Sequence, residues 1–245
     1  MDALHPLDLL VRSFSLRVPL SSASRNSVLA LPQTLKSVEP STYIVREGEP
    51  PEQCGVLVSG FAYRQKTTGY GARQMVAMHL PGDAFDFQHL FLRIADHSVQ
   101  MLTAGEVAFV PRIALQELVR SDPEISGAIY TQISVEASIS REWVLNVGRR
   151  RARERIAHFL SELGSRLDAL GLAQDYGYEL PLTQEQIGDA VGLTPVHVNR
   201  TLKEMANEGL ICRDKRRISF PDWRRICEIA GFNERYLHMQ PQLVG

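Results

Sequence analysis

Val196, Asn199, Arg200 and Lys203 recur at i, i+3, i+4 and i+7, the spacing that puts side chains on one face of a helix. Asn pairs with adenine, the Arg fork with guanine, and Lys supplies a point charge for phosphate. Together they suit the edge of a DNA duplex in its major groove. Thr183, Gln184, Thr194 and His197, at the starts of two adjoining helical segments, complete the set expected to meet DNA there. Arg213, Lys215, Arg216 and Arg217 follow as a second cluster. Between Arg200 and Arg225 eight basic residues face four acidic ones, so phosphate contact is a better reading than an ordinary solvated surface. No catalytic residue and no cofactor is expected. The rival chemistry rests on His79, His89 and His97, as a metal set of a cupin-like metal-dependent enzyme. They lack a compact His-x-His or carboxylate spacing, and histidines so scattered are ordinarily surface or hydrogen-bonded residues.

The elements that must position the basic set are legible around it. Thr183 is an N-cap and Gln186, three residues on, completes a capping box, so a helix is predicted from Gln184 to Val191, stopped by Gly192. Thr194 caps a second helix with Pro195 at its first position. Gly188 lets the two approach closely, while Ile187, Val191, Leu193, Val198 and Leu202 point inward as a small core. This is a helix-turn-helix pattern, set against a generic helical hairpin as the bland alternative. Arg213–Arg217, between Leu210-Ile211 and Ile218–Phe220, reads as the tip of a hairpin wing.

The 245 residues are 44% hydrophobic with a formal charge of −1, enough for one large domain or two modest ones. Near neutrality argues against a protein that coats nucleic acid over its whole surface, but not against a local basic footprint. Cys54, Cys212 and Cys227 are widely spaced and odd in number, so no zinc site, iron–sulfur centre or disulfide framework is indicated. Idle thiols, no apolar run of the ~18 residues needed to span a bilayer, and no signal-peptide pattern make a cytoplasmic location the expectation.

Along the chain, residues 1 to about 40 read as a short helical segment. From Ser41 short strands alternate with turns at Arg46–Pro51, Ser59-Gly60, Thr67–Gly71 and Pro81–Asp83, the pattern of an all-β sandwich or barrel. Phe85–Leu92 contains a short helix. At Ile113 the period changes to 3.6, and after Pro123 a long helix repeats Ile125, Ile129, Ile133, Glu136, Ile139 and Trp143. That stripe is expected to meet a partner helix in a homodimer, packing against its own roll being the alternative. Asn146–Gly148 should interrupt the helix, with Gly148 as the hinge. A further helix then buries Ile156, Phe159, Leu160, Leu163 and Leu167. Pro221–Ala230 should form a last helix.

This order of elements resembles the Crp/Fnr family of bacterial transcription regulators, from about residue 40 to 220. The resemblance is carried by LTQEQIGDAVGLTPVHVNRTLKEM, GEPPEQCGVLVSG, the Leu80–Asp83 turn and Ala104–Val107. It implies an α+β chain: a jelly-roll-like double-stranded β-helix sensor domain (1–122), a dimerisation helix (123–147) and a winged helix-turn-helix DNA-binding domain (148–245). It further implies a homodimer on a palindromic operator in double-stranded DNA, with RNA polymerase as a further partner. Val196 stands where the family often has Glu, so this operator should differ from the family's best-known half-sites. Family members that bind cyclic nucleotides hold the phosphate with an Arg-Ser or Arg-Thr pair, and no Arg precedes Ser98. Cyclic AMP is therefore not the expected effector, and the N-terminus lacks the cysteines of the oxygen-sensing branch.

Overall fold

The structure, a computed structural model, describes residues 5–239. It opens with α1 (Asp8–Ser15) and α2 (Ser22–Leu29), but the expected helical start ends in a strand, β1 (Thr34–Val38). Almost every β1 side chain is exposed, so no apolar alternation marks it; its pairing with the 105–109 stretch makes it a strand. The roll continues with β2 (Tyr43–Val45), β3 (Gln53–Ser59), β4 (Ala62–Thr67), β5 (Arg73–His79), β6 (Ser98–Met101) and β7 (Gly105–Pro111). Two sheets result, ordered β1-β7-β3 and β2-β6-β4-β5, and a single 3-10 turn at Phe87–Leu90 interrupts the strands.

Strand alternation explains how these layers stack. On β7, Val107 and Phe109 face the second sheet, joining Val45, Leu57, Ala62, Phe85, Val99 and Met101. Ala108 and Val110 face the other way, onto Phe14 of α1, Val28 of α2, Leu115 of α3 (Arg112–Ser121) and Ile125 and Ile129 of α4 (Pro123–Arg149). Strands β7 and β3 of the first sheet are therefore apolar on both faces, as strands buried between two layers must be, while β1 forms its exposed edge.

Helix α4 differs from expectation in two ways. Ile125, Ile129, Ile139 and Trp143, read as the seam for a partner helix, are buried within their own chain. And Gly148 is not a break: it lies inside α4, exposed, with no described atom beyond its own stretch of helix within 4 Å of where a Cβ would stand. The chain turns instead at Arg150-Arg151, before α5 (Ala152–Ala169). Arg151 is extended, and its N–H donates to the Glu154 carboxylate at 3.0 Å. A capping residue and the helix it starts set the corner; a glycine is not required.

By its contacts the described chain divides into two units, one holding the residues up to Thr68 with Val76–Glu136, the other Gly69–Met75 with Ala137–Met239. The second contains α5, β8 (Tyr178–Glu179), α6 (Gln184–Val191), α7 (Pro195–Asn207), β9 (Cys212–Asp214), β10 (Arg217–Ser219) and α8 (Trp223–Ala230). Its core is Ile156, Phe159, Leu160, Leu163, Ile187, Val191, Val198, Leu202, Met205, Ile218 and Ile226. Among the described residues no helix is long and apolar enough to cross a membrane.

Candidate nucleic-acid interface

The α6–α7 pair is locally specified. Thr183 Oγ1 accepts the Gln186 N–H at 3.2 Å and the Gln186 side chain accepts the Thr183 N–H at 2.9 Å, closing the predicted capping box. Gly192 ends α6 at φ +67, a left-handed conformation that a glycine adopts without strain. A Cβ on Gly188 would stand 2.4 Å from the Leu193 carbonyl oxygen, so this turn needs glycine for close approach. Thr194 Oγ1 accepts the His197 N–H at 3.3 Å, and Pro195 opens α7.

Burying Val198, Thr201, Leu202 and Met205 leaves the opposite face of α7 to solvent. Val196 is 80% exposed, Arg200 and Lys203 are exposed, and Asn199 and His197 are half-buried. The expected reading set thus shares one accessible face. Arg200 has one weak tether, an ion pair to Glu204 at 3.8 Å. Thr183 is exposed and Gln184 half-buried at the start of α6.

The wing is a three-stranded sheet ordered β8-β10-β9, with Arg217 opposite Asp214 across a two-residue turn. Lys215 takes φ +51 there. Arg213, Lys215, Arg216 and Arg217 are all exposed. Arg217 also donates to the Gly177 carbonyl at 3.3 Å, and Arg216 lies 3.9 Å from Glu179, so the wing cations are held near the sheet that carries them.

Positioning residues were not legible in the Arg149–Arg155 run. Arg155 donates to the Val191 and Gly192 carbonyls at 3.2 and 3.3 Å, satisfying the free C-terminal end of α6, and its Nε donates to Arg150 O. Arg153 makes a two-pronged pair with Glu208 at the end of α7, at 2.8 and 2.6 Å. Arg155 thus ties the end of α6, and Arg153 the end of α7, to α5. A basic run next to glutamates far away in sequence was the only sign of it.

The roll holds a different surprise: it does contain a buried guanidinium. Arg64 of β4 ion-pairs with Asp86 and, at 3.2 Å, with Glu136 of α4. Burial alone would raise the Asp86 carboxyl, but the Arg64 charge and His97 hold it well below the usual range. Burial likewise pushes Glu136 up against the pull of Arg64. His79, His89 and His97 are all buried, not on the surface. His97 Nδ1 meets Asp96 at 2.6 Å and its Nε2 lies 2.9 Å from Asp86, while burial lowers the pKa of His89. Among the described residues no group of three His, Cys, Asp or Glu side chains could hold a metal ion, so this arrangement gives the cupin-like reading no footing.

Comparison with known proteins matches two family descriptions to the chain: a cyclic nucleotide-binding domain over residues 35–122 and a Crp-like helix-turn-helix domain over residues 154–229. The nitrogen fixation regulation protein FixK of Azorhizobium caulinodans is 30% identical over 187 residues, covering 75% of this chain and 70% of that protein. The transcriptional activator protein FnrL of Cereibacter sphaeroides is 28% identical over 200 residues, covering 80% of each. Among solved structures, FixK2 from Bradyrhizobium japonicum is similar with a TM-score of 0.74 at 28% identity, over 81% of this chain and 98% of that one.

Proposed function

Because the chain belongs to the Crp/Fnr family, we propose that it is a sequence-specific, DNA-binding transcription regulator acting as a homodimer, and not an enzyme. The observation that carries this reading is the accessible face of α7, where Val196, Asn199, Arg200 and Lys203 stand together above a core that faces the other way. An α-helix fits the major groove, and bidentate Arg–guanine and Asn–adenine pairs read bases there. Val196 supplies a methyl surface for thymine. The cations of the β9–β10 turn supply sequence-independent phosphate contact. The relatives named as a transcriptional activator and a regulation protein support the same class.

Two half-sites multiply the affinity of a single reading helix, which favours a dimer. With the isoleucine stripe buried, the seam falls on the opposite side of α4. Tyr130, Ser134, Ala137, Arg141, Val144 and Gly148 are all exposed and recur at alternating spacings of four and three. Val144 is 70% exposed, and the small residues let a second helix approach. A second copy of this chain is the occupant we assign. The operator is then a palindrome, the location cytoplasmic, and RNA polymerase a further partner once DNA is bound. Cyclic AMP is not the effector, since Arg64 is already paired with two carboxylates.

Selection of bound sequences from a random duplex library tests this directly. A palindromic consensus is the expected result; recovery of no enriched motif would reject the function. Val144→Asp, followed by sedimentation, tests the seam: the expected species is a monomer, and a dimer of wild-type stability would move the interface elsewhere.

A further inference from the structure

Beyond α8, and beyond residue 229 where the helix-turn-helix match ends, the chain turns back onto α4 and α5. Tyr236, in the 3-10 turn Glu234–Leu237, donates its hydroxyl to Glu162 Oε2 at 2.8 Å, and the Tyr236 hydroxyl oxygen lies 3.5 Å from His158 Nε2. Its ring stacks on the His158 ring at 5.8 Å, and Phe232 meets His158 edge-on at 5.5 Å. Leu237 is fully buried, and His238 Nε2 reaches Ser138 of α4 at 3.4 Å.

The two polar side chains that Tyr236 touches, Glu162 and His158, are also nodes of the α4–α5 corner. Glu162, almost wholly buried on α5, accepts the Trp143 indole N–H of α4 with both oxygens at 3.1 Å. His158 Nε2 lies 3.3 Å from Glu142 of α4, which pairs with Arg150 at the corner itself. One residue, Tyr236, therefore touches two of the side chains through which α5 is held to the last turns of α4. A buried carboxylate that accepts from the Trp143 indole and the Tyr236 hydroxyl, with Arg166 3.8 Å away, is stable only while those partners stay in place.

We propose that Phe232–His238 is a latch that locks the corner between α4 and α5, and that its release frees the α5–α7 assembly to reorient relative to the end of α4. Since α5 carries the end of α6 through Arg155 and the end of α7 through Arg153, the latch sets how far the reading helix is preorganised for its groove. A locked corner lowers the ordering cost on binding, and an open one raises it. The consequence for DNA rests on the regulator reading above; the consequence for the corner does not.

Two full-length variants test it. Tyr236→Phe keeps the ring and removes the hydroxyl; Phe232→Ala with Tyr236→Ala removes the strap's aromatic grip. Hydrogen exchange of the amides at 150–158 and trypsin cleavage after Arg150 or Arg151 report the corner without DNA. Operator affinity reports the consequence. Expected are a roughly threefold rise in corner exchange for the first variant and more than tenfold for the second. Operator affinity should weaken about tenfold in the second, while exchange in the α7 core stays within a factor of two. Wild-type corner exchange in the folded double variant would overturn the latch. So would a uniform rise across α5, α7 and α8, which marks plain destabilisation. If the double variant does not fold, unchanged corner exchange in Tyr236→Phe overturns the proposal by itself. Failure of wild type to select any DNA would reject the regulator reading and leave the corner measurement to decide the latch.

Discussion

Arg64 and Asp86 form an ion pair inside the β-roll with their side chains only 11% and 1% exposed. Asp86 reaches it from a left-handed backbone conformation, φ +65, that aims its carboxylate inward. A cation so placed could have served an anionic ligand, but it is already committed to Asp86 and Glu136.

That commitment predicts no saturable binding of cyclic AMP or cyclic GMP by calorimetry at millimolar concentration. Binding tighter than ~100 μM, about −5.5 kcal/mol, would overturn it. Asp86→Ala should lower the unfolding free energy of the roll by about 3–5 kcal/mol, the range for breaking a buried pair from one side. Urea denaturation measures it, and a loss below ~1 kcal/mol would mean the pair is effectively solvated.

Arg200→Ala should abolish discrimination between operator and random duplex while preserving the dimer and the thermal midpoint. Each base pair read by a bidentate contact contributes ~1–3 kcal/mol, and twofold symmetry doubles the loss. Operator affinity within a factor of two of wild type would remove Arg200 from base recognition. Its only described charged partner, Glu204, is exposed, so folding should not suffer.

Neutralising Lys215, Arg216 and Arg217 together should weaken binding to all sequences alike. It should also flatten the dependence of log affinity on log salt by up to about three per wing, roughly one for each phosphate no longer neutralised. An unchanged slope in a salt titration would assign phosphate binding to other residues.

His158 makes the α4–α5 region acid-sensitive. Burial, reinforced by Arg150, pushes its imidazole down to about 3 from 6.5. The folded base resists a proton that the unfolded chain accepts, so its contribution is complete above about pH 6.5 and is lost as pH falls towards 3. Between pH 7.5 and 5 the loss approaches ~2 kcal/mol. Glu162, raised by burial, opposes it, because protonation relieves the folded carboxylate. His158→Phe should therefore flatten the acid side of the stability profile relative to wild type. Parallel profiles from urea denaturation at each pH would count against a buried neutral imidazole.

What could be read from the chain alone was whatever is specified within a few residues. The Thr183–Gln186 capping box, the Gly192 stop, the Thr194-Pro195 start and the outward set on α7 all depend on local hydrogen bonds and a 3.6-residue period. The roll's strands from β2 onward were likewise visible as short runs set between turn signals. What tertiary structure decided was pairing over distance. β1 is a strand only because β7 lies beside it. The isoleucine stripe of α4 was legible as apolar, but periodicity records burial without naming the neighbour, and here its first turns meet the roll. Gly148 looked like a hinge because glycine disfavours helix, yet the turn came at Arg150-Arg151, where Glu154, Glu142 and Arg155 converge. Arg64 with Asp86, Arg153 with Glu208 and Tyr236 with Glu162 lie 22, 55 and 74 residues apart. A charged or polar side chain carries no local signal of its partner, because the energy that selects the pair arises only once folding brings the two together.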